Sequence, residues 1–175
     1  QNKLLDARTM LNRALLDPST SAADRVNIRR RMAEVNQTLL FGPAQTAGDP
    51  FSETYKVVSG DVLNKINRKL HLITEPSLIA RVNRLANPNA LRVGQTLKVI
   101  RGPFHAVVTK GQYRMDIYAG PTPSTSALDA TSTPDGAEPG WTYICSFPVG
   151  LGEKGLTPVG NFTIKENSKL INPHW

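Results

Sequence analysis

Apolar side chains recur early in this chain at Leu4, Leu5, Ala7, Met10, Leu11, Ala14 and Leu15, close to the ~3.6-residue period of a helix. That spacing predicts a helix over residues 2–16. Asp17-Pro18-Ser19-Thr20-Ser21 interrupts it, because proline lacks the N–H a helix interior needs, and Ser21 is the residue type that caps a new helix. Ile28, Met32, Val35 and Leu39 then mark the inner face of a second helix running to about Leu40, with Arg29, Arg30 and Glu34 beside that face. A short loop between two helices gives an antiparallel pair. Residues 1–41 therefore read as a helical hairpin, a structural or interaction element. Residues 42–52, Gly-Pro-Ala-Gln-Thr-Ala-Gly-Asp-Pro-Phe-Ser, are small and nearly uncharged, and read as a linker.

The pattern changes twice more. Residues 53–101 carry strand, helix, helix and strand signals in that order. Tyr55, Val57 and Ser59 alternate with Lys56 and Val58, Gly60 permits a sharp turn, and Asp61 is placed to cap a helix beginning at Val62. Leu63, Ile66 and Leu70 form the buried stripe of that helix. Thr74 and Pro76 suit the cap and first turn of the next helix, whose inner face is Leu78, Ile79, Val82 and Leu85. Thr96–Ile100 closes the block as a strand. From residue 102 onward a two-residue alternation with Gly and Pro punctuation signals a β-rich region. Residues 104–120 read as a hairpin turning near Lys110-Gly111, with Tyr113, Met115 and Ile117 on one side. Residues 120–140, rich in Pro, Gly, Ser and Thr, read as a surface insertion. Residues 141–167 read as two further strands joined by a glycine-rich connection, the second starting at Phe162.

Composition narrows the function classes. No apolar run approaches membrane-spanning length. A single cysteine, Cys145, excludes an internal disulfide and a multi-cysteine zinc site, and no cofactor or metal is expected. The net charge of +7 sits mostly in residues 52–101, and Arg29-Arg30-Arg31 is the longest basic run. Without aromatic interleaving there, base stacking on nucleic acid is not supported; the charge suits attraction to an anionic polymer or, as the favoured reading, a solvated basic face. The chain opens at Gln1 with no leader, which says little about its compartment.

Residues 55–100 resemble the lysin motif (LysM) family. The resemblance rests on Tyr55-x-Val57-x-x-Gly60-Asp61-x-Leu63-x-x-Ile66, then Ile79, Asn83, Asn87-Pro88 and Leu91, and finally Val93-Gly94-Gln95-x-Leu97-x-Val99. It implies a βααβ module that binds N-acetylglucosamine-containing glycans such as peptidoglycan and chitin. The shallow groove of such modules lies between the loop after the first strand and the loop before the second. By position, those loops are Gly60, Asp61, Val62 and Leu63, and Asn87, Pro88, Asn89, Ala90 and Leu91. Exposed turns supply the backbone donors, acceptors and small apolar platform that acetamido groups need, although Gly60, Asp61 and Asn87 would also serve as turn and cap residues. Two positions depart from the family pattern: Val62 stands for a usual threonine or serine, and Asn67 for a usual alanine.

The last block, 102–175, resembles the N-terminal part of an L,D-transpeptidase catalytic domain. The similarity is carried by His105-Ala-Val-Val-Thr-Lys-Gly-Gln-Tyr-Arg-Met-Asp-Ile-Tyr118, by Ser146-Phe-Pro-Val-Gly-Leu-Gly152, by Thr157-Pro158-Val159-Gly160-Asn161-Phe162, and by Asn172, Pro173 and Trp175. It implies cysteine-dependent acyl transfer that cross-links peptidoglycan stem peptides. The family's Ser/Thr-His-Gly-x-x-Cys motif does not occur in this chain and is expected downstream of Trp175, so no catalytic residue is assigned and the chain itself is expected to be inactive. Cys145 precedes Thr157-Pro158 instead of following it. It shares strand parity with Trp141, Tyr143 and Phe147, an apolar setting that raises a thiol pKa, and reads as core. The expected fold class is thus α+β and multidomain: helical pair, βααβ LysM module and truncated mostly-β L,D-transpeptidase domain. The expected role is peptidoglycan binding, through glycan and stem peptides, in the periplasm or cell wall. The alternative is a non-catalytic LysM wall-binding or scaffolding protein.

Overall fold

A computed structural model describes residues 2–122 and 136–164. Its elements are α1 (Asn2–Leu16), α2 (Ala22–Leu39), β1 (Ser52–Lys56), α3 (Leu63–Lys69), α4 (Pro76–Val82), β2 (Thr96–Ile100), β3 (Phe104–Thr109), β4 (Arg114–Ala119) and β5 (Thr142–Pro148). The architecture is α+β, with two small antiparallel sheets, β1–β2 and β3–β4–β5. Most of the surface insertion and the end of the chain, residues 123–135 and 165–175, lie outside the described residues.

The two N-terminal helices form where the periodicity places them. Ser21 caps α2 with its hydroxyl, which accepts the Asp24 N–H at 3.1 Å. The inner face of α2 is turned from the expected one: Arg29, Met32, Asn36 and Leu39 are buried, whereas Ile28 and Val35 are half-buried. The reason is what α2 packs against. It lies on β5, an edge strand whose outward backbone groups need partners. The Asn36 amide donates to the carbonyls of Tyr143 and Ile144 at 2.9 and 3.0 Å. Asn12 on α1 donates to the Trp141 carbonyl and accepts the Tyr143 N–H, both at 2.9 Å. Two asparagines therefore close the sheet edge that an aliphatic face would have left unsatisfied. Around them Leu15, Met32, Tyr118, Tyr143 and Trp141 form one apolar cluster, so the N-terminal helices and the β3–β4–β5 sheet share a core.

Arg29 is likewise turned inward. Its guanidinium stands 3.7 Å from the fully buried Asp116, which also takes Arg114 Nε at 2.9 Å. Hence the more deeply buried side of β4 carries Asp116 and Tyr118, not Met115 and Ile117. Tyr113 leaves the strand altogether, exposed and left-handed (φ 50°) after a turn of 3-10 helix at Lys110–Gln112.

Residues 42–52 are an ordered strap. Asp49 is buried in a salt bridge with Arg8, 2.8 Å at its shortest, and its carboxylate accepts the Phe51 N–H. Lys98, wholly buried on β2, points its ammonium at the strap and donates to the carbonyls of Leu39, Gly42 (3.0 Å) and Ala44 (2.9 Å). A lysine in a strand that otherwise reads as core thus satisfies carbonyls at the open end of α2. Leu97 and Val99 on the other side of β2 face the core between β1, α3 and α4. Ile100 joins Leu40, Val82, Ala119 and Ile144 in a third cluster, where the hairpin, the central block and the C-terminal sheet meet.

Strand β5 carries a bulge. Tyr118 pairs with Tyr143 and Ile117 with Cys145, leaving Ile144 unopposed. The bulge separates Cys145 from the parity of Tyr143. Tyr143 belongs to the cluster under the helices, while Cys145 packs with Ile117 and Phe104 on the other side. After β5 the expected strand from Phe162 is not formed over residues 161–164, and Leu156, Val159, Phe162 and Ile164 are exposed.

Candidate glycan-binding groove

β1 ends in a turn at Val58–Asp61, where Gly60 takes φ +80°, a conformation that costs a residue with a Cβ about 1–2 kcal/mol. Asp61 does not cap α3. Its carboxylate turns back and accepts the Val58 N–H at 2.9 Å and the Tyr55 hydroxyl at 2.8 Å. Lys69 donates to the same hydroxyl at 2.9 Å and lies over the Tyr55 ring. These contacts, the Val58 N–H first, hold the Asp61 carboxyl below its usual pKa, and the bond to Tyr55 raises that of Lys69. Val62 takes the cap position of α3 with no side-chain bond.

Both short helices end in the same way. His71 and Arg84 adopt left-handed conformations (φ 51° and 50°), and the next residues, Leu72 and Leu85, return N–H bonds to the carbonyls of Asn67 and Ala80. This is the six-to-one closure of a Schellman motif, and it folds each leucine toward the core. The cap of α4 is Glu75 in place of Thr74, with Pro76 in the first turn. Asn83 locks α4 to β2, donating to the carbonyls of Ile79 and Lys98 and accepting the Lys98 N–H. Asn67, unusual by the family pattern, donates to the Thr74 carbonyl at 2.6 Å and so fixes the link between the helices.

This frame leaves a cleft of about 500 Å³. One wall is Val62, Leu63 and Asn64 at the start of α3, and the opposite wall is Pro76, Ser77, Ala80 and Arg81 along α4. Leu85, Pro88 and Asn89 close the end. Its size lies within the range of small-ligand sites, and the lining pairs an apolar floor with a few hydrogen-bonding groups, as sugar recognition requires. Val62, at 45% exposed, presents a methyl rim where a hydroxyl is usual.

The residues expected from sequence divide into three groups. Val62, Leu63, Pro88 and Asn89 line the cleft. Gly60 and Asp61 shape the turn that precedes it, and Asn87, Ala90 and Leu91 build the facing loop: Asn87 accepts the Asn89 N–H at 2.9 Å, its carbonyl takes the Ala90 N–H, and Leu91 packs on the core. The wall contributed by α4 was not anticipated. Its signal was present, since Ser77 and Arg81 are four residues apart on the side of α4 away from Ile79 and Val82.

Residues 55–99 match the family model of the LysM domain, so the chain carries a LysM domain there. No curated protein matches the chain. Among solved structures, a MoCVNH3 variant (Mo0v) in complex with (N-GlcNAc)4 is 20% identical, covering 55% of this chain and 54% of its own, with a TM-score of 0.28. The chain thus spans about half of that structure's length, and a TM-score so low defines no common fold.

Proposed function

We propose that the protein binds N-acetylglucosamine-containing glycan, with peptidoglycan as the natural ligand, in the cleft between α3, α4 and the Asn87–Asn89 loop. The observation that carries this reading is the coincidence of the LysM match at residues 55–99 with an open, mixed apolar and polar cleft in the same residues. Sugar C–H faces and acetamido methyls would lie on Val62, Ala80, Leu85 and Pro88, while Asn64, Ser77 and Asn89 offer hydrogen bonds. The test is co-sedimentation of the whole chain with insoluble peptidoglycan and with chitin. Retention on the pellets is expected, and Ser77→Trp, which fills the cleft from an exposed position, should weaken it at least tenfold. Equal retention of the tryptophan variant would place binding elsewhere.

Residues 102–175 form, in this proposal, the first part of an L,D-transpeptidase domain, supported by the sequence resemblance alone. The LysM domain would hold the enzyme on the wall and raise the local concentration of stem peptides around it. Localisation in the periplasm or cell wall follows from that substrate. Cys145 is not the nucleophile of this scheme. It is half-buried, its thiol pKa is pushed up by burial and then by the nearby Asp116 charge, and a catalytic cysteine needs the opposite shift. Reading the coding sequence past Trp175 tests the assignment: a Ser/Thr-His-Gly-x-x-Cys motif supports it. An open frame without one leaves the alternative, a non-catalytic wall-binding protein.

A further inference from the structure

We propose that Arg81 makes the cleft selective for a glycan that carries carboxylates over a neutral chain of N-acetylglucosamine. The inference rests on the glycan-binding reading and specifies its substrate class. Arg81 lies in the last turn of α4, exposed, and forms part of the cleft wall. No hydrogen bond or ion pair engages its guanidinium among the described residues. The cleft lining contains no acidic side chain, so nothing in the wall neutralises the cation. Several nearby charges are already engaged: Glu53 pairs with Arg101 at 2.6 Å, Asp61 is bound to Val58 and Tyr55, and Lys69 and Lys65 are engaged by Tyr55 and the Gly60 carbonyl. Lys56, Arg84 and Arg92 are exposed but are not among the residues that line the cleft. A guanidinium presents a planar fork of donors matched to a carboxylate. A neutral glycan gives it only hydroxyl and amide oxygens. The complementary ligand is a β-linked N-acetylhexosamine chain bearing carboxylates, as peptidoglycan does and chitin does not. Two sources share that chemistry, the lactyl ether carboxylate of a peptide-free glycan and the carboxylates of attached stem peptides.

Calorimetric titration of the whole chain tests the proposal with four tetrasaccharides. These are the N-acetylglucosamine tetramer, a peptide-free peptidoglycan tetrasaccharide, the same glycan with its carboxylates amidated, and one bearing stem peptides. The acidic glycans should bind roughly fivefold to tenfold more tightly than the neutral tetramer, the reach of one charge-assisted contact at a solvated site. Amidation should abolish the preference without any mutation, and raised salt should shrink it. Preference for the peptide-free acid assigns the lactyl carboxylate, and preference confined to the peptide-bearing form assigns the stem. Arg81→Gln should bring the acidic-to-neutral ratio to about one, while Arg81→Lys keeps part of it. Equal affinity of the wild type for acidic, amidated and neutral glycans overturns the proposal and leaves glycan binding intact. No binding of any tetrasaccharide overturns both. An acidic preference that persists in Arg81→Gln assigns the selectivity to another cation.

Discussion

Lys98→Met removes an ammonium that the fold has taken out of water to join three segments. The side chain is fully buried, and its three partners are the carbonyls of Leu39, Gly42 and Ala44, at the end of α2 and in the strap. Hydrogen bonds to a charged group contribute about 1.5–3 kcal/mol each, but burying the ammonium costs several kcal/mol. Methionine matches the stem in volume and regains that cost, leaving the orphaned carbonyls as the net loss. The contacts to Gly42 and Ala44 are only part-buried, so water recovers some of their bonding. The balance is a loss of about 2–3 kcal/mol at neutral pH. Urea unfolding of the full chain measures it through the fluorescence of Trp141, which lies in the cluster under α1 and α2. The difference should also depend on pH with a definite sign. Burial, the largest influence on Lys98, holds its pKa below the ordinary lysine value, so in the alkaline range the unfolded chain binds more protons than the folded one. Wild-type stability therefore rises relative to the methionine variant as pH climbs toward lysine's usual range. A variant as stable as the wild type at pH 7, or a difference that narrows on the alkaline side, would refute the latch.

Other substitutions test the local arguments. Asp61→Asn should destabilise the chain at pH 7 while leaving it folded; because the carboxyl pKa is lowered in the fold, the gap to wild type should close as pH falls below ~4, as thermal melts across pH would show. His71→Gly relieves a left-handed conformation at the end of α3 and should stabilise by roughly 0.5–1 kcal/mol in the same melts, with a loss meaning that the imidazole has a structural task. Cys145 should react with a disulfide reagent at pH 7 at least tenfold more slowly in the folded chain than in urea, and equal rates would contradict its burial and raised pKa.

What periodicity revealed was the extent of three elements, α1, α2 with its Ser21 cap, and β2 at Thr96–Ile100, but not the polar contacts each of them makes. Pattern reading assigns charged side chains to solvent, and so it could not find Arg8, Arg29, Asp49 and Lys98 inside the molecule. Each is satisfied by a group distant in sequence, as with Lys98 and the Leu39 carbonyl. The asparagines that close the β5 edge are silent for the same reason. The bulge at Ile144 inverts the side of Cys145 without any glycine or proline to announce it. In the candidate site, the two loops were legible because turns constrain residue type, whereas the α4 wall looked like any polar helix face. The basic run at residues 29–31 likewise divides, with Arg29 buried on Asp116 and Arg30 and Arg31 exposed.

The most direct test of glycan recognition in the cleft is a titration of the isotopically labelled chain with the N-acetylglucosamine tetramer, followed by backbone amide NMR shifts. Shifts should concentrate on Val62, Asn64, Ser77, Arg81, Leu85 and Asn89, grow with ligand to saturation, and spare the β3–β4–β5 sheet. An unchanged spectrum at millimolar ligand, or shifts centred on that sheet, would contradict the account.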